Sequence, residues 1–155
     1  MKTMKTMKIP TVLLTCVLAI IASNASAELQ PWEDYDFGDT IMTVTTVKVD
    51  ANMLDLYLEG LKQTWVASNN VAKELGHIRD FHIYGSDLPG SGDFNLMLVV
   101  TFNSAEDLEP SKERYQQFMQ RWGEKNEERN REIAKTYPDV RTITGAYRMR
   151  EINIK

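Results

Sequence analysis

Cysteine occurs once in the 155 residues, at Cys16, and histidine twice. Beyond residue 27 there is no cysteine at all, which excludes disulfides, thiol nucleophiles and thiolate metal sites from that part of the chain. The apolar run Val12–Ala22 is shorter than the ~20 residues that span a bilayer. No nucleophile elbow and no serine triad is present. Gly90-Ser91-Gly92 is not a phosphate loop, because no lysine follows it and the next segment reads as a strand. Excess positive charge is missing too. All 22 acidic residues lie beyond residue 27 and three of the 18 basic ones before it, so the remainder carries about seven net negative charges. That surface disfavours nucleic acid and anionic membranes, whose phosphates are bound by clustered Lys and Arg.

What the chain does contain begins with a leader. Lys2, Lys5 and Lys8 precede the apolar run, and Ala25-Ser26-Ala27 closes it. A basic start, a short apolar middle and a small-x-small end are the parts of a secretory signal peptide. The expectation is removal of residues 1–27 and a periplasmic or secreted product with no membrane attachment after cleavage. Thr15 before Cys16 fits a lipid-attachment site poorly.

Residues 28–39, ELQPWEDYDFGD, read as an irregular lead-in, and 40–155 as one domain. Within it the apolar period alternates between two and 3.6. A first strand is expected over 41–49. A helix is expected from about Asn52 to Leu75, with Leu54, Leu58, Leu61, Trp65, Ala72 and Leu75 on one stripe and Gly76 as its stop. Gly60 inside that helix costs ~1 kcal/mol relative to alanine, which implies that another element approaches its backbone closely. A hairpin follows, with arms over 77–84 and 94–102 and a loop able to reach over a cavity mouth. Ser104 with Asp107 three residues on has the form of a capping box. After Pro110 a long helix shows Tyr115, Phe118, Met119 and Trp122 at the spacing of a buried face, with Gly123 as a bend. The last strand is expected over 141–152. The order strand–helix–strand–strand–helix–strand closes into an α+β ferredoxin-like βαββαβ sandwich. Its antiparallel four-stranded sheet, in the order 4-1-3-2, carries two helices on one face.

A monomer of that architecture should have a polar second sheet face. Here Phe94, Leu96, Leu98, Val100 and Phe102 alternate with Met97 and Val99, and Ile41, Val47 and Val49 alternate with Met42 and Val44. Apolar residues on both faces imply a cover on both, and the simplest cover is a second copy. The expectation is a homodimer.

The helix TWVASNNVAKELG, the hairpin DLPGSGDFNLMLVV, the helix face YQQFMQRW and the closing TYPDVRTITGAYRMREI resemble the dimeric α+β-barrel superfamily. Among its members the chain looks most like NIPSNAP-like and other small exported ones. The resemblance spans about residues 40–152 and implies an architecture. The superfamily's chemistries are diverse, and no catalytic motif carries over residue by residue.

Few residues could carry chemistry. Asp80, His82 and Tyr84 alternate along one side of the second strand. They read either as a base oriented by an acid beside a phenol, or as a polar edge or dimer seam. Trp65 and Asn69, with Asn70 and Lys73, line the later half of the first helix; they fit a pocket wall or a core indole beside a solvated face. Tyr115, Phe118 and Trp122 read as core that can also wall a cavity. Arg148 and Arg150 share one side of the last strand and fit a carboxylate clamp or ion pairs to Glu151, Asp80 or a partner. Neither the histidine spacing nor the acidic lead-in makes a metal site, and no cofactor is implied, His82 as a haem ligand having nothing else to support it. The functional expectation is binding of a small apolar or aromatic molecule, with catalysis by a cofactor-independent oxygenase, cyclase or isomerase as the alternative. For that alternative, Trp65, Tyr115 and Phe118 would line a cavity between sheet and helices, with His82 or Tyr84 moving the proton.

Overall fold

The computed structural model describes residues 28–90 and 92–155. The expected leader, residues 1–27, lies outside them. Four strands, β1 (Tyr35–Val49), β2 (Asp80–Gly85), β3 (Leu96–Phe102) and β4 (Arg141–Ile154), form one antiparallel sheet in the order β2-β3-β1-β4. Read from the other edge, this is the 4-1-3-2 order expected from the sequence.

The first helical stretch runs without interruption as α1 (Leu54–Leu61), a π segment (Lys62–Val66) and α2 (Ala67–Glu74). The second is broken. A 3-10 turn (Ala105–Leu108) carries the expected capping box between Ser104 and Asp107. Then α3 (Lys112–Trp122) and α4 (Glu124–Ala134) meet at Gly123, whose φ of 81° suits glycine and ends the first helix. A 3-10 turn (Tyr137–Asp139) leads into β4. Among the described residues no helix is long and apolar enough to cross a membrane.

The core lies between the helices and one sheet face. Val47, Val49, Leu96 and Leu98 of the sheet pack with Tyr57 and Leu61 of α1 and with Tyr137 and Val140. Gly60 explains the approach of the last turn. A Cβ there would stand 2.9 Å from Tyr137 Cε1, so only glycine lets the ring rest on α1. The hydroxyls of Thr64 and Tyr137 share a short hydrogen bond, and Thr64 Oγ1 also donates to the Gly60 carbonyl at 2.9 Å. Arg141 lays its guanidinium over the same two rings, 5.9 Å from Tyr57 and 5.4 Å from Tyr137. At the end of β3, Asn95 continues the ladder with its side chain: Oδ1 accepts from Val49 N–H and Nδ2 donates to the Val49 carbonyl, both at 2.8 Å.

Two expectations need correction. The lead-in is irregular only as far as Asp34. From Tyr35 the chain is already strand, because Tyr35, Asp36 and Phe37 pair with Ile154, Asn153 and Ile152 at the far end of β4. The second correction concerns Tyr115, which is 64 % exposed rather than core. The first turn of α3 is anchored otherwise: Ser111 Oγ accepts from Arg114 N–H, and the Arg114 guanidinium folds back onto the carbonyls of Glu106, Asp107 and Glu109.

Candidate functional site

Cross-strand register divides the sheet residues cleanly between two sides. Ile41, Thr43, Thr45, Val47 and Val49 share the helix side with Leu96, Leu98, Val100 and Phe102 and with Phe81 and Ile83. The opposite side carries Met42, Val44 and Thr46, paired with Thr101, Val99 and Met97 on β3 and with Met149, Tyr147 and Gly145 on β4. Asp80, His82 and Tyr84 complete it, opposite Thr101, Val99 and Met97. The open face is therefore an apolar band edged on β2 by an acid, an imidazole and a phenol. At its centre Val44 and Val99 are already shielded, 8 and 7 % exposed, while Tyr84, Tyr147 and Met149 are half exposed around them.

The polar edge is organised. Lys73, reaching from α2, donates to Asp80 Oδ1 at 2.9 Å, and Phe81 N–H donates to the same oxygen at 2.8 Å. The Lys73 bond first, and the Phe81 amide next, hold the Asp80 carboxyl below its ordinary pKa. Its other oxygen lies 3.7 Å from His82 Nε2, and the His82 and Tyr84 rings are 5.9 Å apart. This row can orient an imidazole beside a phenol in contact with solvent.

At the far end of the face, Lys48 donates to the carbonyls of Pro89 (3.3 Å) and Gly92 (3.1 Å). The β2–β3 loop is thereby tied to β1. Thr144 Oγ1 donates to Thr46 Oγ1 at 2.9 Å, and the Tyr147 ring covers Gly145, where a Cβ would stand 2.5 Å from the phenol oxygen.

The remaining expected residues are not gathered here. Trp65 lies on the helix side, edge-on to Phe81 at 5.3 Å, and Asn69 spends its amide on the Trp65 carbonyl at 2.7 Å. Phe118 stacks on buried Trp122 at 6.0 Å between centroids. With Tyr115 in solvent, and His82 and Tyr84 on the other side of the sheet, the pictured cavity between sheet and helices is not assembled from these residues. Arg148 and Arg150 sit on the helix side of β4, both exposed, and neither joins an ion pair among the described residues. His77 shares a 3.2 Å hydrogen bond with Gln117.

A hollow of about 430 Å³ does open elsewhere, between α1 and the last helical turns, lined by Leu56, Tyr57, Gly60, Ile133 and Tyr137 among others. Sequence reasoning missed the polar cluster behind it. Burial raises the pKa of both Tyr57 and Tyr137, against the opposing charge of Arg141 and, at Tyr137, the Thr64 hydrogen bond. The available signal was Gly60, whose expected close neighbour is the Tyr137 ring.

No family model matches the chain, and no curated protein matches it. Two solved structures do. The likeness is to NIPSNAP-type and dimeric ferredoxin-like proteins. One is a NIPSNAP family protein of unknown function from Agrobacterium tumefaciens, 15 % identical, with a TM-score of 0.45 over 76 % of this chain and 90 % of that one. The other is a dimeric ferredoxin-like protein from an uncultured marine organism, 11 % identical, with a TM-score of 0.42 over the same shares.

Proposed function

We propose that the chain acts as an exported homodimer whose open sheet faces oppose each other and hold a small apolar or aromatic molecule between them. The observation that carries this is the apolar band of Met42, Val44, Met97, Val99, Tyr147 and Met149 on the face away from the helices. A sheet face of that composition is covered in stable proteins, and a second copy covers it isologously. The Asp80–His82–Tyr84 row supplies the few polar groups that orient a ligand in an otherwise apolar site. The test is light scattering on the chain from Glu28 onward, with native mass spectrometry of what co-purifies. A dimer carrying a small organic molecule is expected; a chain that stays single at high concentration overturns the reading.

One contact favours catalysis at the same place. Asp80 Oδ2 lies 3.7 Å from His82 Nε2, near enough to orient the imidazole as a base toward a small aromatic or carbonyl compound held on the band. Cofactor-independent oxygenation, cyclisation or isomerisation would then be lost in His82→Ala while binding persists. Equal turnover by the variant removes this second reading.

A further inference from the structure

The hollow between α1 and the last helical turns has two kinds of surface. Its floor is apolar: Leu56 and Tyr57 come from α1, Ile133 from α4, and Tyr137 and Val140 from the chain leading into β4. The Tyr137 hydroxyl is spent on Thr64, so its ring carbons are what remain for a ligand. The mouth is polar and exposed. Glu59 of α1 and Gln63 of the π segment stand on one wall, with Glu132 and Thr136 on the other.

These mouth groups are acceptors almost throughout. Thr136 Oγ1 donates its proton to the Ile133 carbonyl at 2.8 Å, which leaves only lone pairs free. Glu132 gives Oε1 to Lys135 at 2.7 Å and keeps a second oxygen. Glu59 enters no hydrogen bond or ion pair among the described residues. Only the Gln63 amide can donate, and no lysine, arginine or histidine is among the described residues that line the hollow.

We propose that this hollow binds a small organic cation, a primary ammonium carried on an aromatic body. The ammonium sits at the mouth against Glu59, and the body rests on the apolar floor. A volume of about 430 Å³ lies within the range of small-molecule sites, which pair apolar walls with a few placed polar groups. An ammonium is a compact cluster of donors that answers the acceptors of the mouth, whereas an anion would meet two carboxylates. Arg141 lies over the Tyr57 and Tyr137 rings without lining the hollow, and its charge keeps the ammonium away from the floor. The π segment agrees with this, since such interruptions of a helix recur at functional sites, and this one places Gln63 at the mouth. Neither the dimer nor the open sheet face enters the argument.

Amide-resolved NMR titration of the chain from Glu28 onward tests it, with phenylethylamine and phenylacetate as the two probes. They share a ring and a size and differ in the sign of their charge. At equal millimolar concentrations the amine is expected to shift the amides of Glu59, Gln63 and Ile133 saturably, and phenylacetate to leave them in place. Glu59→Gln, a change at an exposed position, raises the dissociation constant of the amine about fivefold with the far-UV spectrum unchanged. Phenylacetate bound as tightly as the amine, amine shifts that never saturate, or a Glu59→Gln chain with the parent affinity overturns the site. Amine shifts confined to His82 and Tyr84 overturn it too and assign the ligand to the open face. A monomeric chain that binds the amine at Glu59 keeps this site while the dimer reading falls, and a dimer that ignores the amine does the reverse.

Discussion

Tyr137 stands beside the Thr64 hydroxyl and Tyr84 beside the His82 imidazole, yet one is 8 % exposed and the other 50 %. The Tyr137 cluster is closed: Thr64 satisfies its hydroxyl, Tyr57 meets it edge-on at 5.1 Å and Arg141 lies over the ring. The two hydroxyls of Thr64 and Tyr137 are held by one another and turned away from solvent. In the Asp80–His82–Tyr84 row, only the carboxylate is fully engaged, and the imidazole and phenol are open to whatever approaches the sheet. The difference separates polarity that specifies the fold from polarity available for binding.

The sharpest way to break that contrast is to truncate both tyrosines. Tyr137→Ala is expected to lose about 4 kcal/mol in urea unfolding, as for other buried aromatics, while Tyr84→Ala stays within ~0.5 kcal/mol of the parent. Equal losses would show that the row is structural. Gly60→Val comes next. It forces the Tyr137 ring away while Thr64 holds its hydroxyl, at a cost of about 2 kcal/mol by the same measurement. A smaller effect is set by pH. The two buried tyrosines have folded pKa values above the unfolded value of ~10, so the unfolded chain ionises first. Stability is then full below pH ~10 and falls as pH rises beyond it toward the folded values; Tyr57→Phe flattens that alkaline limb in pH-dependent melting. Smallest is Asp80. Its lowered pKa makes its contribution present above the ordinary carboxylate value and lost as pH falls through the folded one. Lys73→Met should weaken that acid dependence slightly and lower neutral-pH stability by the same small amount.

How much of this was legible in the sequence follows from how local each feature is. Alternation over 41–49 and 96–102 assigned both sheet sides correctly, since side-chain direction in a strand depends only on neighbouring positions. The Ser104–Asp107 cap and the Gly123 break are likewise encoded within a few residues. Gly60 signalled an approach without naming Tyr137. The start of β1 at Tyr35 was hidden, because its strand partner is Ile152–Ile154, more than a hundred residues away in the chain. Tyr115 misled for a related reason: its spacing fits the face of Phe118 and Trp122, but the surface beneath a helix's first turn is decided by tertiary placement. The same holds for the site. Asp80, His82 and Tyr84 were recognisable as a row on one strand, whereas their separation from Trp65 and Phe118 by the thickness of the sheet was not. Arg141 carried no local signal at all.

The Lys48 ammonium bonded to the Pro89 and Gly92 carbonyls has a consequence for the β2–β3 loop. One half-buried lysine tethers the loop through two carbonyl oxygens that carry no charge. Acetylating that amine would remove the charge that holds both carbonyls and leave the ladder bonds of every strand, which are made elsewhere, in place.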